Sequence, residues 1–221
     1  MSEKISDTIR LIIPCYWAND GLVDLTRNCL ESLRGFLGRI TIVDDGSPIK
    51  WDYGKQFDVS SVVLENNVGY AGAVNAGLKE AKEDFIIVAN NDTEFIDPYW
   101  LHHLITPLKN GYDISSIRTT DADGWETRDW LEENAKFGSL WAMKRKVYDS
   151  LGGLNEEYGK GYFEDLDYHR RAEVAGFKVV KNHAGLVEHK GKATFKVVDP
   201  EDTSFLEARE KFIKTWGVDK L

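Results

Sequence analysis

Short apolar runs alternate with helical apolar stripes through the first half of the chain. Residues 9–14 (IRLIIP) are a compact apolar run that stops at a proline, as a strand buried on both faces would. Asn19 or Asp20 can cap the helix that follows, whose apolar positions Leu22, Leu25, Cys29, Leu33 and Leu37 recur at helical spacing. Residues 39–43 read as a second strand, cut off by the dense turn signal Asp44-Asp45-Gly46-Ser47-Pro48. Residues 62–64 give a third strand, 71–81 a helix of small residues able to pack closely on a sheet, and 85–89 a fourth strand ending at Asn90-Asn91-Asp92. Asp97-Pro98 starts a further helix with a cap and a proline at its first position, its apolar face being Leu101, Leu104, Ile105 and Leu108.

Alternation of this kind predicts an α/β fold with a mostly parallel sheet flanked by helices. Ligands bind such sheets at the carboxyl ends of the strands. Here those ends carry Pro14-Cys15-Tyr16, Asp44-Asp45-Gly46 and Asn90-Asn91-Asp92, so residues 1–118 read as a nucleotide-binding half. The second half, 119–221, is less regular. Residues 119–137 read as a loop or small hairpin rich in Trp and acid, 137–148 as a strand and short helix, and 203–216 as a helix turning Phe205, Phe212, Ile213 and Trp216 inward. No linker separates the halves, so one domain over 1–221 is expected.

Composition narrows the function. At 42% hydrophobic residues the chain can bury a real core. A net charge of −9 repels a phosphate backbone and excludes general nucleic-acid binding, although a bound metal still lets an acidic protein hold a phosphorylated metabolite. Cys15 and Cys29 stand in no CxxC or zinc spacing and fit a reducing compartment. The polar start of the chain and the short apolar run 11–14 match neither a signal peptide nor a membrane span. A soluble, cytoplasmic protein is expected, with peripheral attachment to a membrane left open. The sequence is silent on oligomeric state.

Five segments carry candidate chemistry, each with a plainer alternative. Asp44 or Asp45, at a strand end before a glycine turn, can bond a base or ribose; the alternative is an ordinary Asp-Gly turn. The run from Asn66 to Gly77 opens a helix with Gly69, Gly72 and Gly77, where backbone amides can approach phosphate; the alternative is close packing on the sheet. Asp92 can hold Mg²⁺ or Mn²⁺, hard cations that take oxygen ligands, or it can cap a turn. In Phe163-Glu164-Asp165-Leu166-Asp167, acids at a helix start are stabilised as anions and can accept a proton, or they merely cap the helix. His189 can complete a metal site, while His102, His103, His169 and His183 carry no such reading.

In order, IIPCYW, TIVDDGS, NVGYAGAVNAG, VANNDTEF, GGLNEEYGKGYFEDLDYHRRAEVAGFKV and VEH resemble the inverting family 2 glycosyltransferases over nearly the whole chain. The closing KFIKTWG resembles the rhamnosyltransferase-like branch. The resemblance implies the GT-A fold, a Rossmann-like sheet with a small acceptor-binding half appended. It implies a nucleotide-sugar donor, a UDP- or dTDP-sugar first, and a hydroxyl acceptor on a glycan or other molecule. It sets Pro14 and Tyr16 beside the nucleobase and bonds Asp45 or Asp44 to it. Asn67, Gly69, Asn75 and Asn91 then belong to the nucleotide pocket. Asp92 matches the last acid of the family's DxD motif and binds Mn²⁺ or Mg²⁺, with His189 as a further metal ligand. Asp165 matches the catalytic base, and Glu164 positions hydroxyls. One departure is Asn90, which replaces the motif's first acid and leaves fewer anionic ligands. Trp125, Trp130 and Trp141 can stack on sugar rings, core packing being the alternative for Trp141. Two rivals stay open: a catalytically degenerate nucleotide- or glycan-binding module, and a sugar nucleotidyltransferase, which would carry a glycine-rich basic loop near Pro14 that this chain lacks.

Overall fold

The computed structural model describes residues 8–36, 38–124, 130–136, 138–191 and 193–217. Its elements are β1 (Ile9–Cys15), α1 (Asp20–Ser32), β2 (Arg39–Asp44), β3 (Ser60–Val63), α2 (Gly69–Glu80), β4 (Phe85–Ala89), β5 (Thr93–Glu94) and α3 (Trp100–Lys109). There follow β6 (Ile114–Thr119), α4 (Thr120–Asp123), β7 (Leu131–Glu133), β8 (Leu140–Lys144), α5 (Arg145–Leu151), α6 (Glu164–Val174), β9 (Val179–His189), α7 (Phe195–Val198) and α8 (Thr203–Trp216). The strands form one sheet in the order β3-β2-β1-β4-β8-β6-β9-β5, with β7 also paired to β9. The pairs among β3, β2, β1 and β4 are parallel. β8 runs against both β4 and β6, and β9 runs parallel to β6, so β6 and β9 share the direction of the first four strands. The sheet is therefore mostly parallel, as the alternation predicts.

The central strands are buried almost continuously, and their successive side chains point to opposite faces, which sorts the core into two layers. Leu11, Ile13, Ile42 and Ile87 face α1 and α3. Ile12, Val43, Ile86 and Val88 face α2, α5 and α6. Helices thus cover both faces. Asn19 caps α1, its side-chain oxygen accepting from Leu22 N at 3.0 Å, a contact worth about 1 kcal/mol. In α2 a methyl group on Gly77 would stand 2.5 Å from Ile12 Cγ2, so glycine is what lets this helix lie on β1. α3 begins later than Asp97-Pro98 suggests. The Asp97 carboxylate and carbonyl accept from Tyr99 N (2.8 Å) and Trp100 N (3.1 Å), closing a separate turn before the helix.

Chain order places β2 and β3 on one side of β1, and β4 on the other. Consecutive connections therefore leave β1 in opposite directions, and a crevice opens at the carboxyl ends of β1 and β4. The second half joins the same sheet through β8, β9 and β7. α8 packs over residues 158–166 with Ala208 and Phe212 buried, whereas Phe205, Ile213 and Trp216 are half-buried at its edge. Among the described residues, no helix is long and apolar enough to cross a membrane.

Candidate active site

Two cavities of about 470 and about 410 Å³ adjoin at the crevice. The first is walled by Pro14, Cys15, Tyr16, Asp45, Asn67, Gly69, Asn90, Asn91 and Asp92, together with Lys160 and the segment from Ala193 to Val198. The second is walled by Asp121, Glu164, Asp165, His189, Lys136 and Lys181, among others. Tyr70, Asn90 and Phe195 wall both, and so stand at the divide.

The two adjacent aspartates after β2 have different tasks. Asp44 turns inward: its carboxylate accepts Ser47 N at 2.8 Å, and Ser47 Oγ in turn accepts Trp17 N at 2.8 Å. Asp44 shapes the turn and is not among the residues that wall the first cavity. Asp45 walls the cavity and accepts Val68 N at 2.7 Å and Gly69 N at 3.1 Å, one on each oxygen. Burial raises its carboxyl to about 6, against the downward pull of those two N–H groups. The same contacts clamp the loop before α2 onto the sheet. Gly46 lies beneath that loop; a methyl group there would stand 2.4 Å from the Asn66 carbonyl carbon.

Gly69 has φ of +85°, and a methyl group on it would stand 2.2 Å from the Gly159 carbonyl oxygen. Tyr70 N donates to Lys160 O at 3.0 Å. The start of α2 is thereby fixed to the segment that leads into α6. Asn75 is placed elsewhere. Its Nδ2 donates to Leu154 O and to Glu156, its Oδ1 accepts Leu154 N, and it walls neither cavity. The sequence reading groups it with the nucleotide pocket, yet every polar atom of its side chain is used in tying α2 to residues 154–156.

Asn91 walls the first cavity while its Nδ2 donates to Thr26 Oγ1 at 2.9 Å. Thr26 is fully buried, accepts Trp17 Nε1 at 3.0 Å and donates to Leu22 O at 3.1 Å. A buried hydroxyl inside α1 thus holds the loop that carries Asp92.

Asp92 meets His189 through strand pairing. Thr93 of β5 lies opposite His189 of β9, and Lys190 N donates to Asp92 O. Asp92 Oδ1 then stands 3.0 Å from His189 Nε2. The other ring nitrogen, Nδ1, stands 2.9 Å from Asp121 Oδ2. Burial disfavours charge on this imidazole, but the two carboxylates outweigh it and raise the ring to about 9.

Two observations at these residues fit a divalent cation. A separation of 3.0 Å between Asp92 Oδ1 and His189 Nε2 is the edge of an octahedron with bonds of about 2.1 Å. Asn90 Oδ1, buried beside them, has no hydrogen-bond partner. Among the described residues no group of three or more His, Cys, Asp or Glu side chains converges on one point, so phosphate oxygens and water would complete the shell.

α6 begins from a strained entry. Tyr162 (φ 72°) and Phe163 (φ 65°) are consecutive left-handed residues, a conformation that costs on the order of 1–3 kcal/mol each and clusters at functional sites. The entry turns Glu164 and Asp165 toward the second cavity. Glu164 is buried, and its Oε2 has no partner. Burial raises both carboxyls, and the Asp165 charge raises Glu164 further. Asp165 is eased back by the Leu166 N–H and by Lys136. Asp167, the third acid of the run, faces away: Arg171 Nε and Trp216 Nε1 donate to it at 2.8 and 2.9 Å.

Three residues of the site carry no signal in the sequence: Asp121, Tyr70 and Phe195. Phe195 stacks on Tyr162 with ring centroids 4.2 Å apart. Two of the three tryptophans proposed for sugar stacking, Trp130 and Trp141, wall neither cavity. Trp141 is fully buried in the core, Trp130 stacks on His183 with centroids 4.5 Å apart, and Trp125 lies outside the described residues.

A family model, glycosyl transferase family 2, matches residues 11–163. That is more than half of the chain, and the chain belongs to this family. It is 29% identical over 127 residues to a dolichol-phosphate mannosyltransferase of Pyrococcus furiosus, across 55% of this chain and 36% of the relative. It is 30% identical over 138 residues to an undecaprenyl-phosphate 4-deoxy-4-formamido-L-arabinose transferase of Pseudomonas aeruginosa, across 55% of this chain and 40% of the relative. The chain thus spans less than half the length of either. In fold it is similar to the mannosyltransferase PcManGT of Pyrobaculum calidifontis, solved with GDP-Man and Mn²⁺: TM-score 0.64 at 16% identity, over 93% of this chain and 64% of that one. The fold is GT-A.

Proposed function

We propose that this chain moves a hexosyl group from a UDP- or dTDP-sugar to a hydroxyl of a glycan or other acceptor, with inversion, using Mn²⁺ or Mg²⁺. The observation that carries the reading is the pair of adjoining cavities, with Asp92 in one and Glu164 and Asp165 in the other. The donor's nucleotide occupies the first cavity beside Pro14, Tyr16, Asp45, Asn67 and Gly69. Asp92 and His189 would hold the cation, which would supply neutralising charge for the departing diphosphate. His189 gives up its proton to do so, which couples metal affinity to pH. Asp165 takes the proton of the attacking hydroxyl from its place on the wall of the second cavity. Glu164, still a neutral acid, donates a hydrogen bond to a sugar hydroxyl through its unpartnered carboxyl. The family's single-displacement stereochemistry follows from one base and no nucleophilic side chain in this scheme.

The acceptor is where this chain parts from its named relatives, which by name use lipid phosphates. A phosphate is its own ionised nucleophile and needs no base. Asp121 and Asp165 wall the second cavity as carboxylates, Lys136, Lys181 and His189 wall it as well, and Lys181 is 3.3 Å from Asp123. The presence of a base at Asp165, which a phosphate nucleophile would not need, supports a hydroxyl acceptor.

The test is calorimetric binding of UDP, dTDP and GDP, each with and without Mn²⁺. One diphosphate binding tightly only with metal is the expected result and fixes the donor class. Binding of none, in either condition, removes the transferase reading and leaves the degenerate binding module.

A further inference from the structure

We propose that Asp121 is a positioning residue that holds the His189 ring in the orientation its Nε2 needs to bind metal. This inference rests on the reading above that Asp92 and His189 hold the divalent cation.

Two separate contacts, with room left by a glycine, build a grip around His189. The Asp121 carboxylate stands 2.9 Å from Nδ1, on the opposite side of the ring from Asp92. The neighbouring Thr120 Oγ1 accepts His189 N at 3.1 Å, which fixes the backbone that carries the ring. Gly191 (φ +68°) leaves room behind the carboxylate, since a methyl group there would stand 3.3 Å from Asp121 Oδ2. The turn itself is anchored, with Asp123 accepting Thr119 N at 3.1 Å and facing Lys181 Nζ at 3.3 Å. Two side chains of α4 therefore address one residue at the end of β9. Nδ1 has no aligned hydrogen-bond partner, and a carboxylate 2.9 Å away attracts a proton to it, which favours the tautomer that leaves the Nε2 lone pair free and raises the basicity of that nitrogen as a ligand. With the motif's first acid replaced by Asn90, protein-side affinity falls on Asp92 and His189, which makes the ring's orientation count for more.

Mn²⁺ binding to the full chain, with and without UDP, is followed by the loss of the free-ion electron paramagnetic resonance signal. D121A is expected to raise the Mn²⁺ dissociation constant by roughly 10–100-fold. UDP binding in the absence of metal should stay unchanged. D121N keeps the shape but loses the charge, and a smaller loss, of more than about threefold, is expected from it. D121N carries the test if D121A does not fold. Mn²⁺ affinity at the wild-type level in D121N or D121A, while H189A loses it, overturns the inference alone. Unchanged affinity in H189A as well, or no Mn²⁺ binding by the wild type, overturns the metal reading and the inference together.

Discussion

The two cavities are built by different means. The first is assembled from strand ends: β1, β2 and β4 stop at the same edge, and each stop carries its polar residues in one short segment. The second is assembled from contacts far apart in sequence. Asp121, Glu164 and His189 come from α4, α6 and β9, and a left-handed pair at Tyr162-Phe163 is needed to aim the acids. Local chain geometry suffices to place a nucleotide pocket in a parallel sheet. Placing a base against a metal site takes long-range register, and that is where small changes should cost most.

The largest effect is expected at Asp165. D165N should keep donor diphosphate affinity and lose turnover by about 10²–10⁴-fold. Calorimetry alongside a single-turnover assay separates the two, and turnover near wild type would strip Asp165 of the base role. The pH dependence has a defined sign. Burial raises the Asp165 carboxyl, so the carboxylate form needed for catalysis is lost as pH falls through that raised value. The acid limb of kcat should therefore lie above the ordinary aspartate value of about 4. A limb at or below that value contradicts the buried environment.

The contrast between the cavities also explains what the sequence discloses. Strand edges 85–89 and the helix 203–216 are legible because their apolar periodicity ends at strong punctuation. The carboxyl-edge clusters are legible for the same reason. Which of two adjacent aspartates faces the cavity is not, because Asp44 and Asp45 differ only in the side of the chain they leave. Asp121 is illegible for a deeper reason. It sits 68 residues before His189 (189 − 121), and only the parallel pairing of β6 with β9 brings its turn alongside. Trp141, in an apolar run, leaves a sugar platform and core packing both open in the sequence, and the β4–β8 pairing settles it by burying the ring.

The next largest effect tests the joint between the cavities. G69A forces a side chain onto φ +85° and against the Gly159 carbonyl at 2.2 Å. A loss of about 1–3 kcal/mol is expected from overpacking in a well-packed site, read as a lower denaturation midpoint. Donor affinity and turnover should fall together, since the same segment leads into α6. A fully stable variant with intact activity would show that the two cavities are not joined there.

N75A sharpens the comparison from the other side. Its side chain makes three hydrogen bonds to residues 154–156 and reaches neither cavity. Leu154 N and O would be left buried without these partners, at a cost of about 1–3 kcal/mol. Diphosphate affinity, measured well below the melting transition, should stay within about threefold of wild type, because less than 1 kcal/mol of any indirect effect is expected to reach the pocket. A selective loss of affinity with unchanged stability would return Asn75 to the nucleotide pocket.

The smallest effect is expected at Trp130, and it decides what the aromatic residues do. Trp130 is half exposed, yet its ring lies parallel on His183, whose Nε2 is 2.8 Å from Glu132 Oε2. It covers a buried imidazole on the β7 edge and walls neither cavity. W130A should leave kcat/KM for any acceptor nearly unchanged and lower stability by about 0.5–1.5 kcal/mol, the value of a stacked ring pair. F195A is the matched comparison, because Phe195 walls both cavities and stacks on Tyr162. Its truncation should raise the KM of donor and acceptor together. If W130A instead raises the acceptor KM alone, the acceptor extends beyond the second cavity across the β7 edge, and the aromatic platform lies where the sequence first suggested.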